Sequence, residues 1–147
     1  MTVIIYRDGI MAADSGGFIG DVCVSRQEKK IFRAQCGALI GCTGSTDEID
    51  SFVAMFDRGE SLSDFKSRDG FGACIVYRSG QILRCGVSDD KFWQHDQTYL
   101  GWAAVGAHPE FVLALILTGK SAVEVVEAAC EHCAWVSGPV VQERLDP

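Results

Sequence analysis

Thr2-Val3-Ile4-Ile5-Tyr6-Arg7-Asp8-Gly9-Ile10-Met11-Ala12-Ala13-Asp14 is the stretch that decides how this chain folds. β-Branched and aromatic residues flank an Asp-Gly pair, which predicts two antiparallel strands joined by a tight turn. Folding the segment on itself returns Asp14 to the neighbourhood of Thr2. Thr2 follows the initiator methionine, and threonine is small enough for an aminopeptidase to remove Met1. The product would carry an α-amine and a hydroxyl on one residue. An α-amine titrates at about pH 7.7–8.0, so it can take the hydroxyl proton near neutrality and make that oxygen a nucleophile. A small residue after Met1 is common, so the reading depends on what surrounds it.

Two further segments supply the surroundings. Lys29-Lys30-Ile31-Phe32 places a lysine at the start of an apolar run over residues 30–34. A threonine, an aspartate and a lysine near one another form a proton-handling set. The ammonium lowers the cost of ionising the hydroxyl, and the carboxylate fixes the lysine and keeps it charged. Gly44 ends the apolar run of residues 38–42 and precedes Ser45-Thr46-Asp47-Glu48, where Ser45 and Glu48 form a capping box. A glycine at a strand-to-helix junction lets a substrate approach the backbone, and the helix N-terminus favours developing negative charge. Taken alone, Gly44 reads equally well as a turn residue.

Outward from these segments, residues 15–27 are Gly-rich and polar and read as a loop with a short strand at 21–24. Residues 30–34 and 38–42 read as a strand pair. Ile49, Phe52, Val53 and Phe56 give residues 46–58 the spacing of an amphipathic helix. Residues 59–69 are polar and read as a second loop with room for a helical turn. Residues 71–77 and 81–87 flank Arg78-Ser79-Gly80 as another hairpin, and 102–105 read as a buried strand, whereas 92–99 have no decisive pattern. Pro109 opens a helix that Gly119 stops. Ser121 and Glu124 cap the next helix, and residues 140–145 close the chain as a strand. This order predicts an α+β fold of stacked sheets with helices outside.

Composition narrows the class. The 147 residues suit one domain, residues 1–147, and 48% hydrophobic with 22% charged residues is an ordinary globular balance. A net charge of −7, with Lys29-Lys30 the only adjacent basic pair, argues against a nucleic-acid surface. No apolar run approaches the roughly 20 residues of a membrane span, and the start lacks the features of a signal peptide. The seven cysteines are odd in number and irregularly placed, which fits free thiols in a reducing cytoplasm. Cys130-Glu131-His132-Cys133 is a lone C-x-x-C that closes a helix, so it reads as structural and neither metal-binding nor redox-active. His95, His108 and His132 have no metal spacing. No cofactor is expected, and no phosphate-binding loop occurs.

Thr2-Val3-Ile4-Ile5, Gly9 to Asp14, Lys30-Ile31 and Ile40-Gly41-Cys42-Thr43-Gly44 resemble the proteasome β-subunit and bacterial HslV group of N-terminal nucleophile (Ntn) hydrolases. Within it, small proteasome-like proteins of phages and bacteria look closest. The resemblance continues through Ala104 to His108 and Ser137 to Val140. It implies a four-layer αββα sandwich, with Thr2 as nucleophile, its amine as base, Asp14 and Lys30 in support, and the Gly44 N–H as oxyanion donor. It also implies a homo-oligomer, with a ring the expected form, and a separate AAA+ ATPase if folded substrates are to be unfolded. The apolar helix faces around Phe52, Phe56 and residues 111–117, with Trp93, Trp102 and Trp135, are the expected subunit contacts.

Departures from the family pattern accompany the likeness. Ala107 stands where relatives often have a serine, Cys133 where a late aspartate is common, and Gly16 where an arginine is frequent. The expected activity is therefore threonine-type hydrolysis of a peptide or other amide bond. An inactive assembly protein on the same fold and a small-molecule amidase are the alternatives.

Overall fold

A computed structural model describes residues 1–68 and 70–146. Its strands and helices run in the order β1 (Val3–Arg7), β2 (Ile10–Ala13), β3 (Gly17–Ile19), β4 (Val22–Ser25), β5 (Ile31–Arg33), β6 (Leu39–Thr43), α1 (Thr46–Asp57), β7 (Gly72–Val76), β8 (Ile82–Ser88), β9 (Lys91–Asp96), β10 (Trp102–Gly106), α2 (Pro109–Leu117), α3 (Ala122–His132) and β11 (Val141–Arg144). Single 3₁₀ turns occupy Leu62–Asp64 and Thr98–Leu100.

The β1–β2 hairpin forms as the Asp-Gly pair predicts. Asp8 and Gly9 both take positive φ, 51° and 79°, the two-residue turn whose twist matches antiparallel strands. Ile4 then pairs with Ala13 and Arg7 with Ile10. β10 flanks β1 and β11 flanks β2, giving a four-stranded sheet in the order β10-β1-β2-β11. The second large sheet is the meander β5-β6-β7-β8-β9.

Strand alternation sorts the apolar side chains into three cores. Ile4, Tyr6, Met11 and Ala13 face Leu39, Cys74, Val76 and Ile82 of the five-stranded sheet. The opposite faces of β1 and β2 present Val3, Ile5 and Ala12 to Val112 and Ile116 of α2 and to Val125, Val126 and Ala129 of α3. On the far side of the five-stranded sheet, Ile40, Cys42, Ala73 and Ile75 meet Ile49 and Phe52 of α1. Phe52 also sits 5.1 Å, centre to centre, from both Phe65 and Phe71. It is fully buried, so it belongs to the core and not to the expected surface patch. Both capping boxes form: Ser45 with Glu48 opens α1, and Ser121 with Glu124 opens α3.

One reading changes, and two open segments are resolved. Residues 15–27 hold a complete hairpin, β3 with β4, where one strand was expected. It forms its own two-stranded sheet and leaves Ile19, Val22 and Val24 exposed, so no buried face disciplines its pattern. Residues 92–99, without a decisive pattern, divide into β9 and the 3₁₀ turn, because β9 is an edge strand with mostly solvent-facing side chains. The predicted loop at 59–69 contains the 3₁₀ turn and runs past the described residues at 69. No helix among the described residues is long and apolar enough to cross a membrane.

Candidate active site

The hairpin turn brings the end of β2 back beside the start of β1. The Asp14 N–H donates to the Val3 carbonyl at 3.2 Å, and the Val3 N–H donates to Asp14 Oδ1 at 2.9 Å. Asp14 is therefore held by the residue next to Thr2. Lys30, just ahead of β5, reaches across from the other sheet. Its Nζ donates to Asp14 Oδ1 at 3.0 Å and Oδ2 at 2.9 Å, to the Gly16 carbonyl at 2.8 Å and to the Met1 carbonyl at 3.3 Å. Thr2, Asp14 and Lys30 are only 9%, 1% and 7% exposed. A buried pair of this kind survives desolvation because both partners take further hydrogen bonds, Asp14 from the Val3 and Ser137 N–H groups and Lys30 to the Gly16 and Met1 carbonyls. The Met1 carbonyl is bonded directly to the Thr2 nitrogen, so the ammonium sits at the Thr2 backbone.

Gly44 follows β6 and precedes the α1 cap. Its φ of +153° is rare for other residues, and a Cβ there would meet Phe71 Cδ2 at 2.9 Å. No described residue accepts a hydrogen bond from its N–H. Gly44 and Thr2 line one cleft of about 610 Å³, together with Glu28, Lys30, Phe32 and Asp50. On its other flank Thr2 lines a second cavity of about 360 Å³ with Thr43, Gly106 and Ala107. Gly106 explains how the chain passes so close. At φ +114° its Cα lies against the Thr2 carbonyl, and a Cβ would overlap that oxygen. The next residue, Ala107, donates its N–H to the same carbonyl at 2.7 Å.

The four residues expected to act together are thus disposed around one point. Asp14 and Lys30 are hydrogen-bonded to each other and to the residues on either side of Thr2, the Val3 N–H and the Met1 carbonyl, and Gly44 shares the cleft with Thr2. Several contributors went unread in the sequence because they act through backbone atoms: the carbonyls of Met1 and Gly16, and the Ser137 N–H, which lies 3.4 Å from Asp14 Oδ2. Ser15 is buried, and its hydroxyl donates to the Pro139 carbonyl, tying the end of β2 to the segment before β11. Arg26 donates to Ser137 Oγ at 2.7 Å, so a guanidinium reaches this region from the β4–β5 connection although Gly16 holds none.

Ala107 offers only its backbone to Thr2. Cys133 caps α3, its N–H donating to the Ala129 carbonyl at 2.8 Å. Burial pushes its thiol up, and that of Cys130 up to about 11. Neither is poised as a thiolate. Cys74 and Cys85 lie inside β7 and β8, and burial pushes both to about 12. Among the described residues no group of three or more His, Cys, Asp or Glu is placed to hold a metal ion.

The Met1 α-amine shows the field at this point. Burial lowers its pKa below the usual 8.0, the Lys30 ammonium lowers it further, and Asp14 opposes them. An amine here is a neutral base at lower pH than a free terminus.

No protein-family model matches the chain, and no curated protein matches it in sequence. Among solved structures it is similar to eukaryotic HslV from Trypanosoma brucei, at 13% identity, with 100% of both chains covered and a TM-score of 0.72. That likeness shows a proteasome/HslV-like Ntn fold.

Proposed function

We propose that this chain is a threonine-type Ntn hydrolase that cleaves a peptide or other amide bond, its nucleophile exposed when Met1 is removed from Thr2. The observation that carries the reading is the position of Lys30 Nζ, bound to both Asp14 oxygens and 3.3 Å from the carbonyl attached to the Thr2 nitrogen. Removing Met1 creates the α-amine and frees the Lys30 N–H that had pointed at the Met1 carbonyl. That N–H then faces the Thr2 hydroxyl region, where it favours the ionised oxygen.

In this mechanism the Thr2 hydroxyl oxygen attacks the substrate carbonyl carbon as its proton passes to the Thr2 amine. The oxyanion is received by the free Gly44 N–H at the start of α1. The ammonium returns the proton to the leaving nitrogen, the C–N bond breaks, and an ester to Thr2 remains. Water, deprotonated by the same amine, releases the acid. The chain's own contribution is preorganisation: one charged pair, one free amide donor and a cleft on each side of the nucleophile.

The rest of the reading follows from the same fold. In this reading the chain is one domain, residues 1–147, and an αββα sandwich, which the three apolar clusters between its helices and sheets support. Its kin in this reading are the small proteasome-like proteins of phages and bacteria. It works in the cytoplasm as a homo-oligomer, a ring in form, with any unfolding supplied by a separate AAA+ ATPase. Ala107 and Cys133 favour a second reading, a non-catalytic assembly protein on this fold. A small-molecule amidase would differ only in substrate.

Two measurements decide between them. Mass spectrometry of the purified protein is expected to show loss of Met1. A peptide epoxyketone or β-lactone is expected to label Thr2 stoichiometrically, and Thr2→Ala to abolish labelling. Processed protein that stays unlabelled overturns the hydrolase in favour of the assembly protein.

A further inference from the structure

Arg84 occupies a position that the proposed chemistry does not use. It lies on β8, opposite Cys74 of β7 and His95 of β9. Leu83, Cys85 and Val87 turn toward α1, so Arg84 projects from the other face of the sheet, toward β10. Its guanidinium carbon is 5.8 Å from the Trp93 ring centre, and Trp93 itself packs on Gly86. Arg84 Nε is buried and has no hydrogen-bond partner, and no described carboxylate pairs with the side chain. Leaving a buried charged donor unsatisfied is costly, so such a group in a native structure calls for a partner or a functional role.

The surroundings specify the ligand's charge. Arg84 lines the 360 Å³ cavity beside Thr2 and also a smaller one of about 170 Å³ between β10 and α2. Among the described residues no Asp or Glu lines either cavity, and Arg84 is the one charged side chain in both. The cleft on the Gly44 side of Thr2 differs, since Glu28, Asp50, Lys29 and Lys30 all reach it. In a chain of net charge −7, a guanidinium that no described carboxylate pairs, lying over an indole and facing open volume, is suited to receive an anion.

We propose that Arg84 is a specificity-determining residue that binds a carboxylate of the peptide on the Gly106–Ala107 side of Thr2. Its planar fork matches a carboxylate in two hydrogen bonds. The carboxylate comes from an acidic side chain or from the peptide's own C-terminus. Describing the site as part of the substrate path rests on Thr2 being the nucleophile. The anion site itself does not.

Calorimetric titration of the Thr2→Ala protein, in which turnover is silenced, tests it with three sets of acetylated alanine tetrapeptides. One set is amidated and carries a single glutamate at each position in turn, one has glutamine in those positions, and one has alanine throughout with a free C-terminus. The glutamate or the free-acid peptides are expected to bind about tenfold more tightly than the glutamine set. Whichever does so identifies the source of the carboxylate. Arg84→Met, which keeps the stem over Trp93, is expected to erase the preference, and Arg84→Lys to restore part of it. In wild-type protein the Trp93 indole N–H resonance is expected to move with acidic peptides only, which keeps the test decisive even where Arg84→Met fails to fold. Equal binding by all sets, no binding by any at millimolar concentration, or a preference that survives Arg84→Met overturns the proposal. Failure of the hydrolase reading is a separate outcome: Thr2 stays unlabelled by epoxyketone while the preference for acidic peptides persists.

Discussion

Lys30 and Asp14 form a buried ion pair, Nζ to Oδ2 at 2.9 Å, that bridges the two sheets directly beneath Thr2. Because both groups are almost fully buried, the pair is structural as well as chemical. Lys30→Ala strands the Asp14 carboxylate and is expected to cost about 3–5 kcal/mol of stability, besides cutting Thr2 acylation by several orders of magnitude. Lys30→Arg is expected to rescue little, because the planar guanidinium does not fit a site built around one compact ammonium. Thermal melting alongside epoxyketone labelling separates the two effects. Normal labelling in folded Lys30→Ala removes Lys30 from the chemistry.

The field around the terminal amine predicts a pH profile. Burial and then Lys30 lower the Met1 amine below 8.0, against the pull of Asp14, and the Thr2 amine left by processing lies one residue deeper in the same field. A lowered pKa makes the neutral, proton-accepting form available at lower pH. Labelling of Thr2 is therefore expected to rise with pH through an apparent pKa below the usual α-amine range and then to plateau. Removing the Lys30 charge moves that limb upward. A limb at or above 8.0 in the wild type would sink the assignment of the amine as base.

Gly44 and Gly106 separate by what their side-chain hydrogens face. A Cβ at Gly44 meets the edge of the buried Phe71 ring at a φ that alanine rarely adopts, so Gly44→Ala is expected to lose stability while side-chain repacking keeps the fold. It should slow acylation about 100-fold by displacing the amide donor. A Cβ at Gly106 meets the Thr2 carbonyl, and backbone cannot yield in that way. Gly106→Ala is therefore expected to unfold the β1–β10 edge. Circular dichroism and labelling of the two variants side by side check the contrast.

How much of this was legible in the sequence follows from the same physics. The Asp8-Gly9 turn, the capping boxes and the alternation in β1 and β2 are local, and the turn alone is enough to return Asp14 to the neighbourhood of Thr2. Lys30 was readable as the charged residue at the head of an apolar run. The carbonyls of Met1 and Gly16 and the Ser137 N–H were not, since every residue carries those atoms and only the fold aims them. Arg84 was hidden for another reason. It is one of thirteen basic residues, and what marks it is the lack of a carboxylate in three dimensions. The β3–β4 hairpin left no periodic signature because neither face is buried against a large sheet.

The capping box at α1 predicts an acid limb of stability. Burial pushes the Glu48 carboxyl up, but hydrogen bonds from Ser45 and the Arg68 backbone outweigh it and hold the pKa below the ordinary 4.5. A lowered acid stabilises the fold above its unfolded pKa and loses that contribution as pH falls through the folded one. Ser45→Ala is expected to cost about 1 kcal/mol at neutral pH and to reduce the loss on acidification below pH 4.5. Urea melts at pH 7 and pH 3 measure both. An unchanged acid limb in Ser45→Ala would place the effect elsewhere.

Assembly is the remaining consequence of the surface. Ile19 and Val22 are 73% and 63% exposed at the tip of the β3–β4 hairpin, and Leu117 is 72% exposed at the end of α2. With Phe52 in the core, these residues, together with Val24, Tyr99 and Leu113, carry much of the exposed apolar area. Side chains of that size left in water commonly mark a subunit contact, and a closed symmetric assembly is the usual way to cover them. Native mass spectrometry at micromolar concentration is expected to show a homo-oligomer. Ile19→Asp combined with Val22→Asp is expected to dissociate it without unfolding the monomer, because the hairpin contributes no side chain to the three buried cores. A monomeric wild type would refute the assembly, and an intact oligomer in the double variant would move the contact to α2.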